Sequence, residues 1–128
     1  MNRVTGIGGI FIKSKDPAAL GNWYKTHLGI DVQEWGGASF KWKSETNPQG
    51  VGTTVWSTFQ ASSDYFSPST AGFMVNYRVE DLRALLAVLR EEGCHVVGNI
   101  EESDFGKFGW VMDPDGNKIE LWQPPEGQ

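Results

Sequence analysis

The sequence predicts a single α+β domain over residues 1–128, in which two βαβββ units form a curved sheet around a cavity. A repeat is the first observation behind this. Gly50-Val51-Gly52-Thr53-Thr54-Val55-Trp56 and Gly116-Asn117-Lys118-Ile119-Glu120-Leu121-Trp122 both open on glycine and close on tryptophan, 66 residues apart. The second is that the offset recurs elsewhere. Asp16 and Asp81 precede helical patterns, Gly29 and Gly93 follow them, and Phe40-Lys41-Trp42 answers Phe108-Gly109-Trp110. A period of about half the chain means two copies of one supersecondary unit. The third is the order of hydrophobic periods, which runs strand, helix and strands twice over.

The first unit occupies about 4–60. Ile7–Lys13 alternates as a strand, and Asp16-Pro17 starts a helix with a capping carboxylate and proline at its first position. Leu20, Trp23, Tyr24 and Leu28 keep the spacing of one buried helix face, and Gly29 ends it. Strands are expected near Asp31–Trp35 and Ala38–Lys43, turned by Gly36-Gly37, then a loop with Asn47-Pro48 and a strand Val51–Phe59. The polar stretch of about 61–71 connects the units and holds an oddly apolar Tyr65-Phe66 pair.

The second unit, about 72–123, repeats the order. Phe73–Val79 reads as a strand. Asp81–Glu92 is the clearest helix, with Leu82, Leu85, Leu86 and Leu89 on one face and Gly93 after its end. Strands follow at His95–Ile100, Lys107–Asp113 and Lys118–Trp122, the last two joined by the tight turn Asp113-Pro114-Asp115-Gly116. Alternation sets Ile119 and Leu121 toward a helix, which leaves Glu120 and Trp122 on the cavity side, and through the repeat Thr54 and Trp56 with them.

Composition excludes several classes. A formal charge of −5 and a pI near 4.9 argue against nucleic acid and favour a neutral or cationic ligand. The single Cys94 permits neither a disulfide framework nor a cysteine zinc site, and reads as a plain buried or half-buried thiol. No apolar run approaches a membrane span, and no secretory leader is legible, so a cytoplasmic location is expected. His27 and His95 sit at a helix end and a strand start, outside any ligand pattern.

With paired βαβββ units, Trp23-Tyr24 and Leu28-Gly29 on the first helix, and the closing Asp113-Pro114-Asp115-Gly116-Asn117-Lys118-Ile119-Glu120-Leu121, the chain resembles the vicinal oxygen chelate superfamily. That superfamily includes glyoxalase I, extradiol dioxygenases, methylmalonyl-CoA epimerase and bleomycin-resistance proteins. The resemblance implies a homodimer, and a metal site on four positions that here read Gly9, roughly Thr54, Phe73 and Glu120. Only Glu120 is a usable ligand, too few for a borderline divalent ion. The expected protein is therefore of the bleomycin-resistance kind. It binds a small aromatic or amphipathic molecule without metal or other cofactor, between walls of Trp56, Phe73, Tyr77 and Trp122, with Trp42 and Trp110 as further wall candidates. The competing expectation is a lyase, isomerase or dioxygenase of the same superfamily, with Glu120 as its acid/base or one ligand of a relocated metal.

Overall fold

The computed structural model describes residues 3–43 and 51–128. The expected loop around Asn47-Pro48 lies outside the described residues. In chain order the elements are β1 (Val4–Ser14), α1 (Pro17–Leu28), β2 (Gly37–Lys43), β3 (Val51–Gln60), β4 (Phe73–Val79), α2 (Leu82–Glu91), β5 (Val96–Ser103), β6 (Gly106–Met112) and β7 (Lys118–Gln123). The seven strands make one curved, open sheet in the order β2-β3-β1-β4-β7-β6-β5. The antiparallel β1–β4 pair is its seam. On either side of it β1 runs parallel to β3 and β4 parallel to β7, so the two units meet edge to edge.

The expected strand at Asp31–Trp35 is absent, and the first unit is one strand short. Its backbone is satisfied locally instead. Val32 N donates to Ile30 O at 2.8 Å, Gln33 N to Gly37 O at 2.8 Å and Gly36 N to Gln33 O at 2.9 Å. Those turns close the segment onto the start of β2 and leave no ladder for a further strand.

Both helices begin as their sequences require. Asp16 accepts a hydrogen bond from Ala19 N, and Asp81 from Ala84 N, each at 3.1 Å. Gly29, with φ of 71°, supplies the left-handed residue that stops α1. The helices differ in how deeply they pack. Leu82, Leu85 and Leu86 of α2 are buried with Val79, Val111 and Leu121 in one core cluster. In α1 only Gly21 is buried, and Trp23 and Leu28 of the expected buried face are exposed. Trp23 leans instead on Tyr24 and His27 within its own helix. The expectation for Cys94 also fails, since the turn after α2 leaves it exposed.

Register decides which side chains share a face, because directly paired residues point the same way. Ile10 pairs with both Trp56 and Val75, Val75 with Ile119, and Tyr77 with Leu121. Trp56 touches Tyr24 of α1 at 4.8 Å, and Tyr77, Ile119 and Leu121 pack against α2, so both helices cover this face. Val55, Phe11, Met74, Asn76, Glu120 and Trp122 point to the other, helix-free face. There Phe11, Phe66, Met74 and Trp110 form a second buried cluster, flanked by Val55, Phe59 and Tyr65.

One contact across the α2 core is tight enough to test. A Cβ built on Gly109 would stand 2.8 Å from Leu86 Cδ1. Gly109→Ala is therefore expected to cost about 1–3 kcal/mol from overpacking. In a Leu86→Ala background, itself about 2–5 kcal/mol less stable, the added methyl finds room and the penalty falls away. Urea unfolding of the two single variants and the double variant reads the coupling.

Candidate functional site

The helix-free face converges on Glu120. It is paired in register with Asn76 of β4 and Trp110 of β6, and it is 2 % exposed. A carboxylate that deep demands hydrogen-bond donors. Asn76 Nδ2 donates to Oε1 at 2.7 Å, and Trp110 Nε1 donates to Oε2 at 2.9 Å. The Tyr65 hydroxyl donates to Oε2 as well. Three neutral donors from three separate elements hold one charge.

Tyr65 comes from the connector between the units. Next to it, Phe66 is fully buried against Phe11, Met74 and Trp110. Tyr65 stacks on Phe59 at 5.4 Å and meets Trp110 edge-on at 6.1 Å. Lys118 Nζ donates to Tyr65 O at 2.7 Å and lies 5.3 Å from the Trp110 ring centre. The connector thus covers the Glu120 end of this face. Burial, then the charge and hydrogen bond of Glu120, push the Tyr65 phenol well above its ordinary value. Loss of water lowers the Lys118 ammonium, and Glu120, Glu101 and Asp64 oppose that shift.

Orienting Asn76 toward Glu120 has a cost. Its Oδ1 is left buried without a partner, a penalty of about 1–3 kcal/mol. Reversing the amide would set oxygen against the carboxylate. The orphan oxygen lies over Gly8, where an added Cβ would come within 2.1 Å of it. The β1 register slips at this point, between Ile7 and Gly9, so a bulge with no side chain gives Asn76 its space.

Past the bulge, β1 leaves β3, and the pairing recorded between them begins only at Gly9 and Val55. Side chains fill the gap. Thr54 Oγ1 donates to Ile7 O at 2.6 Å and accepts from Trp42 Nε1 at 2.8 Å. Arg78 Nη1 donates to Thr53 O at 3.0 Å. The Arg78 Cζ lies 5.3 Å from the ring centres of both Trp42 and Trp122, one from each half of the sheet. Trp122 stacks on Phe108 and donates to Phe105 O at 2.8 Å.

The expected site residues do not all meet. Trp110 and Trp122 stand on the Glu120 face, and Trp42 reaches it beside Arg78. Trp56 and Tyr77 belong to the helix-covered face, and Phe73, at 60 % exposure, stands at the start of β4 paired with Ile12. The repeat misled here by one residue. In register, Gly9 pairs with Val55 and Asn76 with Glu120, so Val55, not Thr54, is the counterpart of Glu120. Phe73 likewise yields its expected place to Asn76. Asn76 and Arg78 were missed because an alternating strand with one polar and one basic residue looks like any solvated strand. The unusual pair of glycines opposite them was the available signal.

The Glyoxalase-like domain family matches residues 9–122, and the chain belongs to that family. Among solved structures, it is similar to methylmalonyl-CoA epimerase from Mycobacterium tuberculosis, with 21 % identity, TM-score 0.64, and coverage of 98 % of this chain and 91 % of that one. A Streptomyces coelicolor methylmalonyl-CoA epimerase bound to 2-nitronate-propionyl-CoA gives 19 % identity, TM-score 0.68 and 98 % coverage of both chains. A glyoxalase/bleomycin resistance protein/dioxygenase superfamily member from Vibrio splendidus gives 15 % identity and TM-score 0.60, covering 91 % of this chain and 97 % of that one. At these identities the likeness shows the fold. No curated protein matches the sequence. No helix among the described residues is long and apolar enough to cross a membrane.

Tyr65→Phe removes one donor from a buried charge and is expected to destabilise the fold by about 1.5–3 kcal/mol. The sign with pH follows from the raised phenol. Its contribution is intact below the ordinary tyrosine value of 10.0 and is lost as pH climbs above it. Stability of the parent protein should fall in that alkaline range, and the Tyr65→Phe protein should lose this part of the fall. Chemical denaturation across the alkaline range measures both.

Proposed function

We propose that the protein binds a small aromatic or amphipathic molecule without metal, on the helix-free face beyond Glu120, walled by Trp42, Trp122 and Phe108. The observation that carries this reading is the closure of Glu120 by Tyr65, Asn76 and Trp110. A general base needs a free acceptor lone pair facing its substrate. Here three donors from the chain fill both lone pairs of Oε2 and one of Oε1, and burial separates the remaining one from solvent.

The same arrangement bears on the metal that the superfamily implies. The other positions in register offer Gly9, Val55 and the amide of Asn76, whose nitrogen faces the carboxylate. Among the described residues no three His, Cys, Asp or Glu side chains group together. One carboxylate surrounded by N–H and O–H donors does not fit a divalent cation, which needs several lone pairs aimed inward. The residues favour binding over metal-assisted turnover.

What remains on this face is a stacked Trp122–Phe108 pair, 6.2 Å apart and nearly parallel at 10°. Trp42 stands across Arg78 from it. Flat rings with a few fixed polar groups suit a planar guest. Dimerisation through a second copy belongs to the same proposal, as does a cytoplasmic location.

Titrating 2-naphthamide against the intrinsic tryptophan fluorescence tests the reading. Saturable quenching is expected, and Phe108→Ala should weaken it by about 1–3 kcal/mol, while Phe73→Ala on the far face leaves it unchanged. Absence of saturable binding, or equal losses in the two variants, counts against the site. Elemental analysis of protein purified without chelator should find no stoichiometric Ni, Zn, Fe or Mn. One tightly held ion per chain would contradict the metal-free reading.

A further inference from the structure

The gap between β1 and β3 gathers charge of one sign. Arg78 enters it from β4 and spends one N–H on Thr53 O. Lys41 of β2 donates from Nζ to Thr53 Oγ1 at 2.9 Å, so two cations converge on one residue, itself 3 % exposed. Neither cation forms an ion pair among the described residues, where Arg3–Glu92 and Arg83–Glu102 are the recorded bridges. Both of those lie elsewhere, on the exposed surface. On a chain with net charge −5, two cations that meet on Thr53, the half-buried Arg78 and the exposed Lys41, with no ion pair among the described residues, are out of character.

A purely structural role explains part of this. Arg78 stands where the β1–β3 ladder has ended and satisfies a carbonyl that β1 no longer reaches. That duty needs one N–H, however, and a neutral donor would perform it. The guanidinium is a planar fork with five donors, and it stays charged even though burial lowers its basicity. Its flanks are the faces of Trp42 and Trp122, which hold the plane and favour the cation. Beneath it the wall is glycine. A Cβ on Gly6 would approach Trp42 to 3.0 Å, and one on Gly8 would approach Arg78 Cγ to 3.2 Å.

We infer that Arg78, with Lys41 and Thr53 beside it, is an anion-binding point, and that the guest of this face is a planar organic carboxylate. The carboxylate takes the remaining Arg78 donors, and its ring system lies against the half-buried Phe108 and Trp42, with the buried Trp122 behind them. Charge-assisted bonds from a pre-oriented guanidinium are the strong kind, and the aromatic flanks limit their hydration. This deepens the binding reading proposed above and rests on it. It also reverses the expectation from net charge, which favoured a neutral or cationic guest. Glu120, on the same face, has its carboxylate engaged by Tyr65, Asn76 and Trp110.

The test compares three ligands of one shape, 2-naphthoate, 2-naphthamide and 2-naphthylmethylammonium, by tryptophan quenching at low ionic strength. The naphthoate is expected to bind at least about tenfold more tightly than the amide, and the ammonium most weakly. In Arg78→Met that preference should vanish while amide binding persists. Lys41→Met lies on an exposed strand and spares the gap's packing, so it keeps the test open if Arg78→Met does not fold. It should reduce the preference and steepen nothing in the amide titration. Equal binding of naphthoate and amide, a preference for the ammonium, or a naphthoate preference untouched in both variants would overturn the anion site alone. Failure of all three ligands to bind would remove the aromatic binding face itself, and the anion site with it.

Discussion

A buried carboxylate organises this molecule. Glu120 sits under the sheet's helix-free face with almost no contact with water, and its charge is tolerable only because Tyr65, Asn76 and Trp110 all donate to it. Each donor imposes a condition elsewhere. Tyr65 fixes the connector across the face and carries Phe66 into the core. Asn76 must turn its amide, which strands an oxygen and forbids a side chain at Gly8. Trp110 sets β6 in register beside β7. The seam between the two units is therefore shaped by one acidic group as much as by apolar packing.

That constraint also separates the two ends of the face. At the Glu120 end, the chain fills its own hollow, and both the carboxylate and the Asn76 oxygen over Gly8 are closed in. At the other end β1 and β3 diverge, and the chain supplies cations, indole faces and a hydroxyl. A pseudo-symmetric fold gives two equivalent halves, and here the halves have taken opposite parts. One is plugged by the connector, and the other is bridged by Arg78, Thr54 and Trp42. In the first half, the positions in register with Asn76 and Glu120 are Gly9 and Val55, which project no polar side chain.

Much of the fold was legible in the sequence because its signals are local. Asp16 and Asp81 cap helices, Gly29 and Gly93 end them, and the Asp113–Gly116 turn fixes β6 against β7 through hydrogen bonds from Asp115 N and Asn117 to the Asp113 carboxylate. The leucines of α2 read as a core face and are one. Less of the site was legible, because faces depend on register and register is not local. A single bulge at Gly8 and Gly9 put Trp56 and Trp122 on opposite sides despite matching sequence positions. The Asp31–Trp35 segment alternates like a strand, yet tight turns satisfied its backbone first. Tyr65-Phe66 was conspicuous as apolar residues in a polar stretch, but their destination on Glu120 is a contact across 55 positions that periodicity cannot report.

The central claim is that Glu120 is closed off by its own chain. The indole N–H of Trp110 reports on it directly, since that proton lies in the bond to Oε2. Proton exchange of the six tryptophan indoles followed by NMR, with Trp110 assigned by substitution, makes the measurement. The account predicts that the Trp110 indole proton is strongly protected, and that removing the acceptor by Glu120→Leu shifts its resonance. An indole proton that exchanges as fast as that of exposed Trp23, with a resonance indifferent to residue 120, would contradict it.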